Sequence, residues 1–265
     1  MRLVPNSITL HLGIEKPIRI LHVTDVHLSL ADNTDAEGMK AHAAERRREF
    51  CKEAGYPERD PVGYFEEAME YSKNFDCTVI TGDVIDFVSH ANCEAARNIL
   101  SGRDYMFCAG NHEFCPKVGK PDSFERKEKI TDEIQTVFRG DMIFESRIVG
   151  GVNVIAIDNG YYTWTEAQLE KLKFEVARGL PCILFCHVPL TYHNMRHDPS
   201  HKDLGVSEEY KQFILSVNEY IINEPMIKAV FSGHMHITGA SDIGGKKDYT
   251  LGALFKGIVG EITID

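Results

Sequence analysis

Short apolar runs alternate with longer amphipathic segments along most of the chain. The runs at 18–24, 77–81, 105–109, 182–187 and 229–233 have the length and composition of buried strands. The segments between them place apolar residues three and four positions apart, which predicts helices. The predicted helices cover residues 40–55, 61–74, 90–102, 123–140, 165–179 and 207–224. This order is typical of a parallel sheet flanked by helices.

Further strands are predicted at the two ends and in the middle of the chain. The segment 7–12 alternates as a strand, and 142–149 with 152–158 predicts a hairpin joined at Gly150-Gly151. Two or three short strands close the chain, with a turn at Gly244-Gly245. The pattern predicts two packed sheets with helices outside. Because no repeat, low-complexity stretch or linker interrupts it, we expect one domain over residues 1–265.

The composition is that of a globular protein. A chain of 265 residues can bury a substantial core, and 43% hydrophobic and 26% charged residues are ordinary fractions. The net charge of -11 argues against an extended nucleic-acid surface, which needs a basic stripe. No stretch approaches the length of a membrane span. Seven cysteines, an odd number without CxxC spacing, favour a reducing, cytoplasmic environment.

Five groups of metal-ligand residue types follow the apolar runs, one at each predicted strand end. They are Asp25-Val26-His27, Gly82-Asp83-Val84-Ile85-Asp86, Gly110-Asn111-His112-Glu113, His187 and Gly233-His234-Met235-His236. Because helix-flanked parallel strands bring their carboxyl ends to one edge of the sheet, we expect these groups to converge. Carboxylates, imidazoles and one carboxamide at a single point predict a metal centre with two ions.

The spacing of the groups suggests how two ions would be shared. Asp25 and His27 lie two residues apart at a strand end, so their side chains point the same way. Asp83 could bridge both ions, because a carboxylate has two oxygens. One ion would then also take Asp25, His27 and one C-terminal histidine, and the other would take Asn111, His187 and the remaining histidine. A mixed nitrogen and oxygen set without thiolate favours Mn, Fe or Zn.

This series of motifs resembles that of the calcineurin-like metallophosphoesterases, which carry DxH, GDxxD, GNHE or GNHD, H and GHxH blocks. The resemblance covers residues 25–236. It implies an α/β fold, a four-layer α/β/β/α sandwich of two mixed β-sheets flanked by helices. It also implies a dinuclear centre of two divalent ions, or of Fe3+ with a divalent ion, that hydrolyses phosphate esters.

The resemblance implies a role for each motif residue. The ligands of one ion would be Asp25, His27, Asp83 and His236, and those of the other would be Asp83, Asn111, His187 and His234. His112 resembles the family's catalytic histidine, which is not a ligand, and Asp86 resembles the carboxylate that orients it. A hydroxide bridging the ions would attack phosphorus in line, while His112 protonates the leaving group or stabilises the phosphoryl oxygens. The expected substrate is a small phosphorylated molecule or a nucleotide.

One motif departs from the protein Ser/Thr phosphatases of this superfamily. Those enzymes carry GDxVDRG, in which the arginine grips the substrate phosphate, whereas this chain has GDVIDFV with Phe87 in that place. The departure argues for a bacterial-type phosphatase or phosphodiesterase instead.

Two alternatives from other functional classes are weaker. A catalytically inactive scaffold of the same fold would be expected to lose ligands or His112, and here every one is present. A nuclease of the superfamily would need a basic groove, which the net charge of -11 disfavours.

The segment at about 29–62 is long enough to cap the active site. It holds Arg46-Arg47-Arg48, of which at most one or two can face the site, since consecutive helical residues point in different directions. A solvated helix face is the favoured interpretation. The alternative is an arginine that binds a substrate phosphate.

Two other groups of residues leave alternatives open. Three histidines follow His187 at four-residue steps, but Pro199 interrupts the helical spacing, so a polar loop at the pocket rim is favoured over a further metal site. These histidines are His193, His197 and His201. Three aromatic residues either line a nucleobase pocket or pack in the core, and packing is favoured. They are Tyr161, Tyr162 and Trp164.

Overall fold

Two mixed β-sheets lie face to face with helices on their outer sides. The computed structural model describes residues 2–55, 60–116, 124–192, 195–196 and 207–265. The helices are α1 (Met39–Ala54), α2 (Pro61–Tyr71), α3 (His90–Leu100), α4 (Phe124–Gln135), α5 (Glu166–Val176) and α6 (Glu208–Asn223). Within these ranges, no helix is both long and apolar enough to cross a membrane.

One sheet contains five strands in the order β1-β13-β2-β3-β4. Its strands are β1 (Val4–Leu10), β2 (Ile18–Val23), β3 (Cys77–Thr81), β4 (Met106–Cys108) and β13 (Ile258–Ile264). The strands β2, β3 and β4 are parallel to one another, and β13 is antiparallel to β2.

The other sheet contains six strands in the order β11-β12-β10-β7-β6-β5. Its strands are β5 (Phe144–Val149), β6 (Val152–Ile157), β7 (Cys182–Phe185), β10 (Ile227–Ser232), β11 (Gly239–Ile243) and β12 (Lys246–Thr250). The central strands β6, β7 and β10 are parallel. A separate short hairpin joins β8 (Thr191–Tyr192) to β9 (Met195–Arg196).

Strand alternation divides the core into layers, because successive side chains point to opposite faces of a sheet. The residues that fill the space between the two sheets include Ile20, Val79, Val154 and Ile183. The next residue along each strand packs against helices instead. Leu21 and Ile80 do so with α2, α3 and α4, and Ile155 and Leu184 with α5 and α6. The predicted α/β/β/α sandwich is therefore confirmed.

The first strand differs from its prediction. It runs from Val4 to Leu10 instead of over 7–12, in parallel register with β13 from Ile258 to Ile264. Pro5 is tolerated because β1 lies at the sheet edge, where a strand pairs on one side only. The partner strand therefore sets the bounds of β1, and the alternation within the segment does not reveal them.

The start of α5 agrees with its sequence signal. The hydroxyl of Thr165 accepts the backbone N–H of Gln168, and the side-chain oxygen of Gln168 accepts the backbone N–H of Thr165. This reciprocal pair is a capping box, which satisfies two backbone donors at the helix start.

Candidate metal centre

The loops that follow the parallel strands turn sharply at the predicted ligands. Among the described residues, the seven non-glycine residues with positive φ all lie in these loops or next to them. They are Asp25, His27, Asp83, Tyr161, Tyr162, His234 and His236, with φ between 50° and 66°. Such backbone is uncommon outside glycine and clusters at functional sites. This backbone conformation turns the side chains of the predicted ligands toward a common point.

Motif glycines allow the loops to approach one another. A Cβ at Gly82 would collide with the backbone of Gly110, and a Cβ at Gly233 would collide with Thr24 and Asp25. The glycines in these motifs therefore permit the close contact of separate strand ends that the predicted convergence requires.

Asp25, His27 and His236 form the first cluster. His27 Nε2 lies 3.0 Å from His236 Nε2, and Asp25 Oδ1 lies 3.6 Å and 3.3 Å from the same two nitrogens. Their ligand atoms all lie within 4.8 Å of one another. Asp25 and His27 are fully buried, so this cluster of polar groups is largely shielded from solvent.

Asn111, His187 and His234 form the second cluster. Asn111 Oδ1 lies 3.2 Å from His187 Nε2 and 3.1 Å from His234 Nδ1, and the two histidine nitrogens are 3.3 Å apart. These atoms again face one another instead of pairing with outside groups.

Asp83 lies between the two clusters. Its Oδ2 is 3.7 Å from His27 Nε2 in the first cluster and 3.1 Å from His187 Nε2 in the second. Its Oδ1 accepts the backbone N–H of His112 at 2.8 Å, which fixes the carboxylate. The structure thus brings all seven predicted ligands together, with the predicted bridging residue in the middle. That they bind metal remains a prediction.

The outward nitrogens of the histidines have hydrogen-bond partners. His187 Nδ1 donates to the carbonyl oxygen of Thr81 at 2.7 Å, and His27 Nδ1 donates to Asp86 Oδ1 at 3.1 Å. These bonds hold a ring proton on each outward nitrogen and leave the inward nitrogens of His27 and His187 as the atoms that could coordinate a metal ion.

The donor set fits a metal ion. In the described part of the chain, Asp25 Oδ1 is buried and accepts no hydrogen bond, although it faces two imidazoles. Burial lowers the pKa of His187 and His236, but nearby carboxylates outweigh it and raise the pKa of each to about 9. These are Asp83 and Asp25 for His187, and Asp25 and Glu53 for His236. The carboxylates therefore create a potential that favours positive charge. His234, by contrast, has its pKa lowered to about 3 by burial and by the charge of His187.

His112 lies beside the two clusters without joining either. Its Nδ1 donates to the carbonyl oxygen of Asp86 at 2.6 Å and lies 3.2 Å from Asp86 Oδ1. Burial lowers the pKa of His112, but Asp83 and Asp86 outweigh it and raise it to about 10. Asp86 therefore orients this ring, mainly through its backbone carbonyl oxygen. The catalytic roles of His112 and Asp86 remain predictions.

A family model described as calcineurin-like phosphoesterase matches residues 18–238. The match covers most of the chain, including all the motifs described above. The chain belongs to the calcineurin-like phosphoesterase family. The resemblance seen in the sequence is therefore confirmed. No protein of the curated set gives a significant sequence match.

Solved structures show the same fold. A dimetal phosphatase from Danio rerio superposes with a TM-score of 0.51 at 16% identity, with 91% of this chain and 89% of that chain covered. A putative 5'-nucleotidase from Staphylococcus aureus superposes with a TM-score of 0.51 at 15% identity. That alignment covers 94% of this chain but 51% of the nucleotidase, so this calcineurin-like phosphoesterase chain spans about half of its length.

Glu113 has a role that the sequence did not reveal. Its buried carboxylate accepts the backbone N–H groups of Asp83, Val84 and Gly110 at 2.8, 2.7 and 2.8 Å. It therefore ties the GDxxD loop to the GNHE loop. Burial and the charge of Asp83 raise the pKa of Glu113 to about 7, and the hydrogen bonds from Gly110 and Asp83 oppose that shift.

Helix α1 packs beside the first cluster. Arg46 donates to both oxygens of Asp86, from Nε at 2.7 Å and from a terminal nitrogen at 2.9 Å. Arg47 and Arg48 are exposed. One member of the arginine triplet therefore reaches the site, but it contacts Asp86, which also binds His27 and His112.

The aromatic residues near the site either pack in the core or contact a predicted metal ligand. Trp164 is buried and donates from Nε1 to Asn218 Oδ1 at 2.9 Å, and Tyr161 is also buried. The Tyr162 hydroxyl lies 2.9 Å from His234 Nε2. Phe87 is fully buried, so the position of the phosphatase arginine holds a core residue. The loop with His193, His197 and His201 lies outside the described residues.

Replacing Glu113 by glutamine should loosen the two loops. The amide would keep an acceptor oxygen but would also place N–H donors against backbone donors. We expect the free energy of unfolding to fall by about 1.5–3 kcal/mol, measured by urea unfolding of the metal-free protein. The exposed Glu66 of α2 offers a matched control as Glu66→Gln. Equal stability of the two variants would contradict the tying role of Glu113.

Proposed function

We propose that this chain is a metal-dependent hydrolase that binds two metal ions and cleaves phosphate esters. The observation that carries the proposal is the position of Asp83 Oδ2 between two histidine clusters, 3.7 Å from His27 Nε2 and 3.1 Å from His187 Nε2. Two adjacent sets of inward-facing donors that share one carboxylate match the needs of a two-metal phosphoesterase. Membership of the calcineurin-like phosphoesterase family supports the same reaction class.

The proposed first ion is held by Asp25, His27 and His236, the second by Asn111, His187 and His234, and Asp83 is shared. The set of imidazole nitrogens and oxygens favours Mn, Fe or Zn, including an Fe3+ paired with a divalent ion. Two such ions, when bound, would activate a water molecule as the nucleophile and offset negative charge on the phosphoryl oxygens.

His112 is proposed to act on the leaving group or on a phosphoryl oxygen. The Asp86 carbonyl keeps a proton on its Nδ1, so the opposite nitrogen, Nε2, is the atom that can reach a substrate. The side chain is 16% exposed, which leaves an approach from solvent. Asp86 is in turn held by Arg46, so the orientation of the ring is fixed from two sides.

The proposed substrate is a small phosphorylated molecule or a nucleotide. The net charge of -11 disfavours an extended polyanion, whereas two bound cations would still attract a single phosphate group. We further propose that the segment 29–62 caps the site within one domain spanning 1–265, because α1 already lies against the first cluster through Phe50, whose ring centroid is 4.6 Å from that of His27.

A panel of mono- and diester substrates, assayed with several divalent metals, tests the reaction class. Metal-dependent release of phosphate or of an alcohol would support the proposal, and it would distinguish monoester from diester preference. If the protein binds two ions but cleaves no ester in the panel, the inactive-scaffold hypothesis would be favoured instead.

Asp83→Ala should remove both metal ions, because each loses its shared ligand. Elemental analysis after loading with Mn2+ or Zn2+ should find about two ions in the unaltered protein and fewer than one in the variant. Asp104, whose side chain is 69% exposed, provides the control as Asp104→Ala. If Asp83→Ala retains one ion at unchanged affinity, Asp83 is not the bridge.

His112→Gln should impair turnover without loss of metal. We expect kcat to fall on the order of 10²–10⁴-fold on an ester with a poor leaving group, the usual contribution of general acid catalysis. The metal content, measured by elemental analysis, should stay unchanged because the ring belongs to neither cluster.

The leaving group distinguishes the two possible roles of His112. A nitrophenyl ester needs little protonation, so the loss should be smaller on that substrate if His112 is an acid. His90, an exposed histidine at the start of α3, gives the control as His90→Gln. A near-normal kcat of His112→Gln with the poor leaving group would rule out both roles.

Arg46→Ala should lower kcat more than it changes KM. The guanidinium acts on the site through Asp86, so its loss should misorient His112 instead of weakening substrate binding. We expect a decrease in kcat of about 10–100-fold, the range for groups that orient active-site residues. Arg47→Ala and Arg48→Ala are matched controls on the same helix. A rise in KM with unchanged kcat would instead indicate that Arg46 binds the substrate phosphate.

A further inference from the structure

One face of α1 contacts the first cluster through three residues at helical spacing. Arg46, Phe50 and Glu53 follow one another at intervals of four and three, which places them on the same side of a helix. Arg46 binds Asp86, and the Phe50 ring packs against the rings of His27 and His236. Glu53 completes this face and lies outside every motif that the sequence displays.

The Glu53 carboxylate binds the outward nitrogen of a proposed ligand. Its Oε1 accepts a hydrogen bond from His236 Nδ1 at 3.0 Å. This bond leaves His236 Nε2 as the nitrogen that faces Asp25 and His27. A carboxylate in this position orients the imidazole and makes it a more basic ligand.

Lys256 holds the Glu53 carboxylate in place. Its Nζ lies 2.8 Å from Glu53 Oε1 and donates to the carbonyl oxygen of His236 at 3.0 Å. The carboxylate therefore cannot turn away from His236 without losing the ammonium group as well. The Glu53 side chain is 40% exposed, so its charge is partly screened and its effect is on orientation and basicity more than on long-range potential.

The two clusters differ in their outer partners. In the first, both histidines donate to carboxylates, His27 to Asp86 and His236 to Glu53. In the second, His187 donates to the backbone carbonyl of Thr81 and His234 Nε2 contacts the phenol oxygen of Tyr162. Negatively charged partners therefore support the first cluster, and neutral partners support the second.

We propose that Glu53 is a positioning residue of the first cluster, through which α1 sets how tightly that cluster retains its metal ion relative to the second. This inference rests on the proposed two-metal function. It assigns to the insertion between the first two motifs a role in metal retention, separate from any role as a lid over the substrate.

The test compares stepwise Mn2+ and Zn2+ binding by Glu53→Gln and by the unaltered protein. Calorimetry measures the affinities, and elemental analysis after dialysis measures the ions retained. Glutamine keeps the length and an acceptor oxygen but removes the charge. We expect one of the two dissociation constants to rise about 10–100-fold and the other to stay unchanged. Glu53→Ala should weaken the same ion at least as much.

Single-cluster backgrounds assign the affected ion. In His187→Ala, where the first cluster is intact, Glu53→Gln should again weaken the bound ion, and in His27→Ala it should have no effect. Glu45, an exposed residue of the same helix, gives the matched control as Glu45→Gln. A structural role alone would not separate the two ions in this way.

The outcomes separate the two levels of the proposal. Two ions bound by Glu53→Gln with unchanged affinities, or with both affinities lowered equally, would overturn the role of Glu53 while leaving the metal centre in place. An unaltered protein that binds fewer than two ions would overturn the proposed two-metal function itself.

Discussion

The hydrogen bonds from the backbone N–H groups of two loops to the Glu113 carboxylate hold the centre of the site together. Asp83 has a φ of 52°, and a non-glycine residue in that region costs about 1–3 kcal/mol. A hydrogen bond to a charged group contributes about 1.5–3 kcal/mol, so above the Glu113 pKa of about 7 the bonds donated by Asp83, Val84 and Gly110 offset this strain. The position of Asp83 between the two clusters depends on that interaction.

The same arrangement concentrates negative charge in a buried space. Asp25, Asp83, Asp86 and Glu113 are all fully buried, and like charges in such surroundings repel strongly. Arg46 compensates Asp86, whereas Asp25 and Asp83 face histidines. The geometry that aims these carboxylates at one point is therefore most favourable when cations occupy that point. Metal binding and the stability of these loops should accordingly be coupled.

The convergence of the motifs was predictable because strand order fixes which ends meet, and residues at those ends are local in sequence. The bounds of β1 could not be predicted in this way, because they are set by pairing with β13 at the other end of the chain. Glu113 accepts hydrogen bonds from the backbone N–H groups of two loops. A glutamate in the sequence does not by itself indicate such contacts. Glu53 contacts a histidine 183 residues away, so only the packing of α1 reveals its role.

The contacts of Arg46 also limit how the insertion can act on a substrate. Its guanidinium binds both oxygens of Asp86 and contacts Glu49, so these carboxylates already engage it on two sides. Binding a substrate phosphate would require breaking this part-buried ion pair, which would leave the fully buried Asp86 uncompensated and is unfavourable. Under the proposed function, the motif residues would act on a phosphoryl group and would read little of what is attached to it. Arg46 therefore influences the site through Asp86, whereas Arg47 and Arg48 are exposed on the same helix.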